Sequence, residues 1–301
     1  HIAPEDVAIT SGCNQAFAAA MSTIAAPGEA VILPTPWYFN HKMWLDMQGI
    51  TTIPLPCGAG MLPDLAEAEA AITPKTRAIV LVSPNNPTGA EYPPALLAGF
   101  VALARAHGLA LVVDETYRDF HSRQHPVHTL FADETWRDVL VHLYSFSKVF
   151  RLTGHRVGAL VASPARLAEA EKFLDTVAIC PNQLGQRAAL YGLQNLQGFI
   201  AEERAETLRR RAVVEAGFAA LPGWHLLCCG AYFAYVRYDM QIDSPTLAQR
   251  LVAEASLLVL PGTMFAPKGE QAAKRQLRIA FANANTQELA VLFARLAAFG
   301  P

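Results

Sequence analysis

The chain has 301 residues, 24 Lys and Arg against 26 Asp and Glu, and a formal net charge of −2. A hydrophobic share of 52% with 17% charged residues excludes a disordered chain, which would be poor in apolar residues and rich in charge. The near-neutral balance excludes a strongly basic nucleic-acid footprint over the whole chain. No apolar run reaches the roughly 18 residues of a membrane helix. Cys13, Cys57, Cys180, Cys228 and Cys229 are odd in number and form no CxxC pair, so neither a disulfide framework nor a structural zinc is expected. A reducing cytoplasm is the simpler setting.

Residues 7–10 read as a short strand turned by Ser11-Gly12, and an Ala-rich helix is expected over 14–26, stopped by Pro27-Gly28. Strands are expected at 31–33, 51–55, 78–82, 109–113 and 139–144. The runs at 78–82 and 109–113 are apolar throughout, as in strands buried on both faces. Helices are expected at 39–48, at 65–72, and from Pro93-Pro94 to Gly108. This alternation predicts an α/β fold with a mainly parallel sheet flanked by helices. From about Ala165 the texture changes. Two helical stretches, the second reaching about Ala220, precede paired strands over 224–238 around Cys229-Gly230. A helix at 247–255, strands at 257–260 and 277–281 and a helix at 286–299 complete the chain. The expected division is a large domain over 1–205 and a smaller α+β domain over 206–301.

Neither a Rossmann nor a P-loop fingerprint occurs. His121, His125 and His128 have helical spacing that would suggest a metal, but Pro126 interrupts it and a polar surface loop is expected. Open α/β sheets bind ligands at the carboxyl ends of their strands, and polar residues gather there. Ser11-Gly12-Cys13-Asn14 opens a helix whose free N–H groups suit an anion, although Ser11 or Asn14 could simply cap it. Ser83-Pro84-Asn85-Asn86-Pro87-Thr88-Gly89 reads as a rigid turn that could hold a cis peptide. Asp114 follows an apolar strand; if buried it needs a cationic or protonated partner. Lys148 ends a further strand, and a lysine that attacks a carbonyl needs burial or a nearby cation to lower its pKa.

Together these segments resemble the class I/II aminotransferase family of fold-type I pyridoxal-phosphate enzymes. Ser145-x-Ser147-Lys148, followed by Leu152-x-Gly154-x-Arg156-x-Gly158, resembles its Schiff-base lysine segment. Asn86-Pro87-Thr88-Gly89, Asp114-x-x-Tyr117 and Arg278 in Leu277-Arg278-Ile279-Ala280 resemble its other signatures, all in the family's order. The resemblance implies that Lys148 holds pyridoxal 5'-phosphate as a Schiff base and shuttles the proton. Asp114 would pair with the pyridine nitrogen, and Asn86 and Tyr117 would bond the cofactor's 3′ oxygen. Tyr38 would stack on the ring, with Trp37 the alternative. Gly12, Cys13, Asn14, Ser145, Ser147 and Arg156 would hold the phosphate, and Arg278, beside Asn86, the substrate carboxylate.

The resemblance further implies a homodimer without nucleic-acid or membrane partners. The chain opens on His1 rather than Met, and a further N-terminal segment is expected ahead of it. Asp175, loosely aligned with an arginine of aspartate-specific members, argues against a dedicated aspartate enzyme. The implied activity is ping-pong transfer of an amino group from an L-amino acid to a 2-oxo acid. The alternatives are a carbon–sulfur β-lyase on cysteine-type substrates and, in a different class, the effector domain of a transcription regulator.

Overall fold

A computed structural model describes residues 1–299. Strands β1 (Val7–Thr10), β2 (Ala30–Thr35), β3 (Thr51–Pro56), β4 (Thr76–Val82), β5 (Ala110–Asp114), β6 (Leu140–Ser145) and β7 (Gly158–Val161) form one sheet in the order β1-β7-β6-β5-β4-β2-β3. Strands β2 to β6 run parallel, and β7 is antiparallel to both its neighbours. The start of β7 therefore meets the carboxyl ends of the others, and Gly158 pairs with both Thr10 and Ser145.

Both faces of this sheet are covered, which explains the unbroken apolar runs. In β4, Ala78 and Val80 pack with Phe17, Met21, Leu45 and Ala170 of α1 (Cys13–Ser22), α2 (Phe39–Met47) and α6 (Pro164–Ala178). The alternate residues Ile79 and Leu81 pack with Ala68, Leu97 and Phe100 of α3 (Leu65–Ala70) and α4 (Pro94–Ala106). The four-residue helix α5 (Phe146–Val149) follows β6 directly.

Helices α7 (Gln183–Asn195) and α8 (Gln197–Ala219) lead to a second, antiparallel sheet. It is built from β8 (Trp224–Gly230), β9 (Phe233–Tyr238), β10 (Leu260–Pro261) and β11 (Gln276–Ala280) in the order β10-β11-β9-β8. Its own core joins Val214 and Phe218 of α8 to Leu247 and Leu251 of α9 (Ser244–Ala255) and Leu289 of α10 (Thr286–Phe299). Among the described residues no helix is long and apolar enough to cross a membrane.

The α/β architecture is as expected, and the differences are local. Helix α1 stops at Ser22, where the Ser22 and Thr23 hydroxyls donate to the Ala19 and Ala20 carbonyls and close the last turn. Three helices, rather than two, join the sheets. Pro181 and the Asn182 cap, whose Oδ1 accepts from Gly185 N–H at 2.8 Å, separate α6 from α7, and the non-helical Leu196 separates α7 from α8. Strand β7 was not anticipated: it has four residues, and its pairing with β1 and β6 identifies it. The β8–β9 turn falls at Ala231-Tyr232, two residues beyond the expected Cys229-Gly230.

The two sheets meet closely at Gly89 and Gly230. Gly89 has φ +77°, and a Cβ there would collide with Gly230 and lie 2.7 Å from the Phe233 carbonyl oxygen. Gly89→Ala combines left-handed strain with a backbone clash, so it should lower the unfolding free energy by about 2 kcal/mol or more in a urea titration.

Candidate active site

The carboxyl ends of β1, β2, β4, β5 and β6 and the start of β7 surround one cavity of about 330 Å³. It is lined by Cys13, Asn14, Tyr38, Asn86, Asp114, Tyr117, Ser145, Ser147, Lys148, Arg156 and Arg278, all singled out from sequence. Gly12 lies against it. Its φ of +86° suits glycine, and any Cβ there would collide with the Arg156 guanidinium. Gly158 backs the same turn, since a Cβ on it would sit 2.6 Å from Gly12 C and 2.8 Å from Cys13 N.

Local chemistry sets each side chain. Gly12 caps α1 without a side-chain bond, so the alternative in which Ser11 or Asn14 caps the helix falls away. The Cys13 and Asn14 N–H groups, in the first turn, have no acceptor one turn back. The Ser145 hydroxyl accepts from Ser147 N–H at 3.2 Å and starts α5, placing Lys148 on its first turn. Arg156 is left-handed, and its Nη1 donates to Thr153 O at 3.0 Å and Ser147 Oγ at 3.4 Å. Tyr38 lines the cavity and accepts from Asn40 Nδ2 at 2.8 Å, whereas Trp37 is buried in the sheet's core. The Ser83–Pro84 and Asn86–Pro87 bonds are cis.

Asp114 is buried rather than solvent-facing. Its Oδ1 accepts from Thr116 N–H at 3.0 Å and Thr116 Oγ1 at 2.7 Å. Its Oδ2 faces His41 Nε2 at 3.3 Å, with an angle short of a hydrogen bond. Burial pushes the carboxyl pKa up, but His41 and Thr116 outweigh it and hold the group below its ordinary value. His41 in turn stacks on Phe17, ring centroids 3.9 Å apart. Lys148 is shifted down, first by burial and then by the Arg156 and Arg278 charges.

Arg278 arrives from the second sheet. Its Nη1 donates to Asn86 Oδ1 at 2.9 Å, and the guanidinium lies over Phe233 at 4.8 Å and Phe265 at 5.4 Å. Its Nε is buried without a hydrogen-bond partner. Among the described residues Nη1 alone of this planar fork has a hydrogen-bond partner, and such a fork suits a carboxylate.

The family described as aminotransferase class I and II matches residues 1–296. The chain belongs to that family. It is similar to the aspartate/prephenate aminotransferase of Thermus thermophilus, with 31% identity over 288 residues covering 89% of this chain and 70% of the relative. It is similar too to a putative aminotransferase, YugH, of Bacillus subtilis, 30% identical and covering 88% and 69%. Among solved structures, the Thermus thermophilus aspartate aminotransferase with maleate superposes with a TM-score of 0.90 at 27% identity, over 99% of this chain and 76% of that one. This aminotransferase-family chain is thus a transferase, and its fold is theirs.

Other residues were missed from sequence. Thr116 and Phe39 line the cavity, and His41 touches Asp114. All three stand inside segments whose neighbours drew attention. Val82, Thr153, Tyr232 and Phe233 also line it. The last two come from the β8–β9 turn and the start of β9 and pack edge-on against Tyr117 at 5.3 and 5.2 Å, a contact no local motif announces.

Asp175 lines a separate groove between β1 and α6. The expected polar surface loop holds for its middle only: residues 122–126, His125 among them, are exposed, whereas His121 and His128 are buried. His128 Nε2 and His142 Nε2 lie 3.0 and 2.8 Å from the same oxygen of buried Glu115, with Arg118 at 3.7 Å. His128 Nδ1 accepts from Leu130 N–H at 3.3 Å, so its Nε2 carries the proton donated to Glu115. Among the described residues no group of three or more His, Cys, Asp or Glu is arranged to hold a metal ion.

Burial alone would raise the Glu115 pKa, but its histidine partners hold it well below the ordinary carboxylate range. A depressed folded pKa contributes stability above the unfolded value, roughly 4.3, and loses it as pH falls toward the folded value. Glu115→Gln should therefore cost roughly 2 kcal/mol at neutral pH and flatten the decline in stability on acidification, as read by urea titrations across a pH series.

Proposed function

We propose that the protein is a pyridoxal-phosphate-dependent aminotransferase, moving the amino group of an L-amino acid to a 2-oxo acid by ping-pong transfer. The observation that carries this reading is that Arg278, its guanidinium bonded to Asn86, lines the same cavity as Lys148. A carboxylate receptor and a lysine of lowered pKa around one cavity suit an amino acid whose Cα–H bond is to be broken.

The cofactor fits the residues present. The Gly12 turn, the first N–H groups of α1, Ser145, Ser147 and Arg156 form an anion cradle for its phosphate. Asp114, kept ionised by Thr116 and His41, suits a protonated pyridine nitrogen. Asn86 and Tyr117 suit the 3′ oxygen, Tyr38 the ring face, and Lys148 the aldehyde carbon. When bound, the protonated ring supplies a sink for the electron pair released at Cα.

The chain's own groups do the rest. Arg278 and Asn86 bind the α-carboxylate and orient the substrate. Lys148, favoured as the neutral amine by burial and two nearby cations, takes the proton from Cα. The aromatic walls of Tyr38, Phe39, Tyr117, Tyr232 and Phe233 limit water around the reacting atoms.

We infer that the working unit is a homodimer. Val177 and Ile179 of the α6 end and Leu184, Tyr191 and Leu193 of α7 are exposed together in the chain, as an interaction face requires. The five free cysteines fit a reducing compartment such as the cytoplasm.

Lys148→Ala should abolish amino transfer while leaving the unfolding transition intact; a variant that transfers at the wild-type rate would remove Lys148 from the mechanism. Release of ammonia with the 2-oxo acid from a cysteine-type substrate, without amine transfer, would mark a lyase instead. Arg278→Lys keeps the charge but loses the planar fork, so KM for the donor should rise roughly tenfold or more with a smaller change in kcat. Steady-state kinetics over a donor panel checks this.

A further inference from the structure

The polar contacts of Asp114 divide unequally between its two oxygens. Thr116 supplies both bonds to Oδ1, one from its backbone N–H and one from its hydroxyl. Oδ2 has His41 Nε2 at 3.3 Å without hydrogen-bond alignment, so it keeps spare acceptor capacity. The other titratable groups facing Asp114 are Cys13 from α1, Tyr38 before α2, and Tyr117. Burial pushes the pKa of each of these three upward, so none supplies a charge.

A backbone N–H bond to an aspartate two positions earlier is available to any residue except proline. The second bond is not, because it needs the hydroxyl of a serine or threonine. Thr116 lines the cavity, where its hydroxyl could bond water, yet it lies 2.7 Å from the carboxylate. A carboxylate with one anchored oxygen cannot exchange its two oxygens by rotation without breaking both bonds.

We propose that Thr116 is a positioning residue whose hydroxyl anchors Oδ1 of Asp114 and so reserves Oδ2 as the acceptor for the cofactor's ring N–H. The inference rests on the reading of this cavity as a pyridoxal-phosphate site. Its physical basis is that hydrogen bonds to an ionised acceptor are short and strong, and that the pair holds the carboxylate in one orientation before any ligand arrives.

The test compares holoprotein carrying Thr116→Val or Thr116→Ser with wild type. Thr116→Val keeps volume and branching but loses the hydroxyl; Thr116→Ser keeps the hydroxyl. Three readouts separate the cases: the pyridoxal phosphate dissociation constant by equilibrium dialysis, the pH titration of the bound cofactor's absorbance, and the split between kcat and donor KM. Thr116→Val should weaken cofactor binding roughly tenfold, shift the absorbance titration, and lower kcat with donor KM unchanged, because Arg278 and Asn86 are untouched. Thr116→Ser should restore all three. A valine variant that melts earlier but binds and titrates like wild type would reduce Thr116 to a structural role and overturn the proposal. A serine variant indistinguishable from valine would overturn it too. Wild type that takes up no pyridoxal phosphate would instead overturn the reading of the cavity, and the role of Thr116 with it.

Discussion

A carboxylate buried at the end of a strand covered on both faces is the constraint on which the site depends. Unsatisfied, Asp114 would lose its charge to desolvation. Its neighbours satisfy it from two sides: Thr116 through two hydrogen bonds, and His41 of α2 through a nearby ring nitrogen. Because His41 also stacks on Phe17, the partner of the carboxylate is part of the packing that sets α2 against α1. Electrostatics and core packing are thus one arrangement here. The same helices that bury the sheet orient the charge, and the charge fixes how they approach.

A second constraint is the close passage between the sheets. Gly89 and Gly230 meet backbone to backbone, and three residues earlier Asn86 accepts a hydrogen bond from Arg278. Any larger side chain at the crossing would hold the second sheet away and open the Arg278–Asn86 contact. The Arg278–Asn86 pair, 192 positions apart, is therefore brought together by a steric allowance at two glycines.

Directly after Asp114, Glu115 is engaged by His128, His142 and Arg118. Adjacent carboxylates thus have separate partners. This ties residues 118–128 to the sheet and keeps the two negative charges from competing for one counter-group.

The local sequence determined the alternation of buried strands and helices, because apolar periodicity and proline–glycine punctuation are short-range properties. It also marked the residues at strand ends, from Gly12 through Asp114 to Lys148, since strand, turn and polar residue stand together in the chain. The resemblance to a known family added Arg278, which no local feature distinguishes from a surface cation. Tertiary structure decided the rest. Residues 122–126 are the exposed loop their composition suggests, but only the fold brings Glu115 and His142 against His128 at its end. Strand β7 exists by virtue of its neighbours. Tyr38 rather than Trp37 faces the cavity because Trp37, just before α2, is packed into the core. His41, Tyr232 and Phe233 reach the site through contacts between distant segments. Local chemistry writes which groups a segment offers; only packing decides which of them meet, because burial and pairing belong to the whole chain.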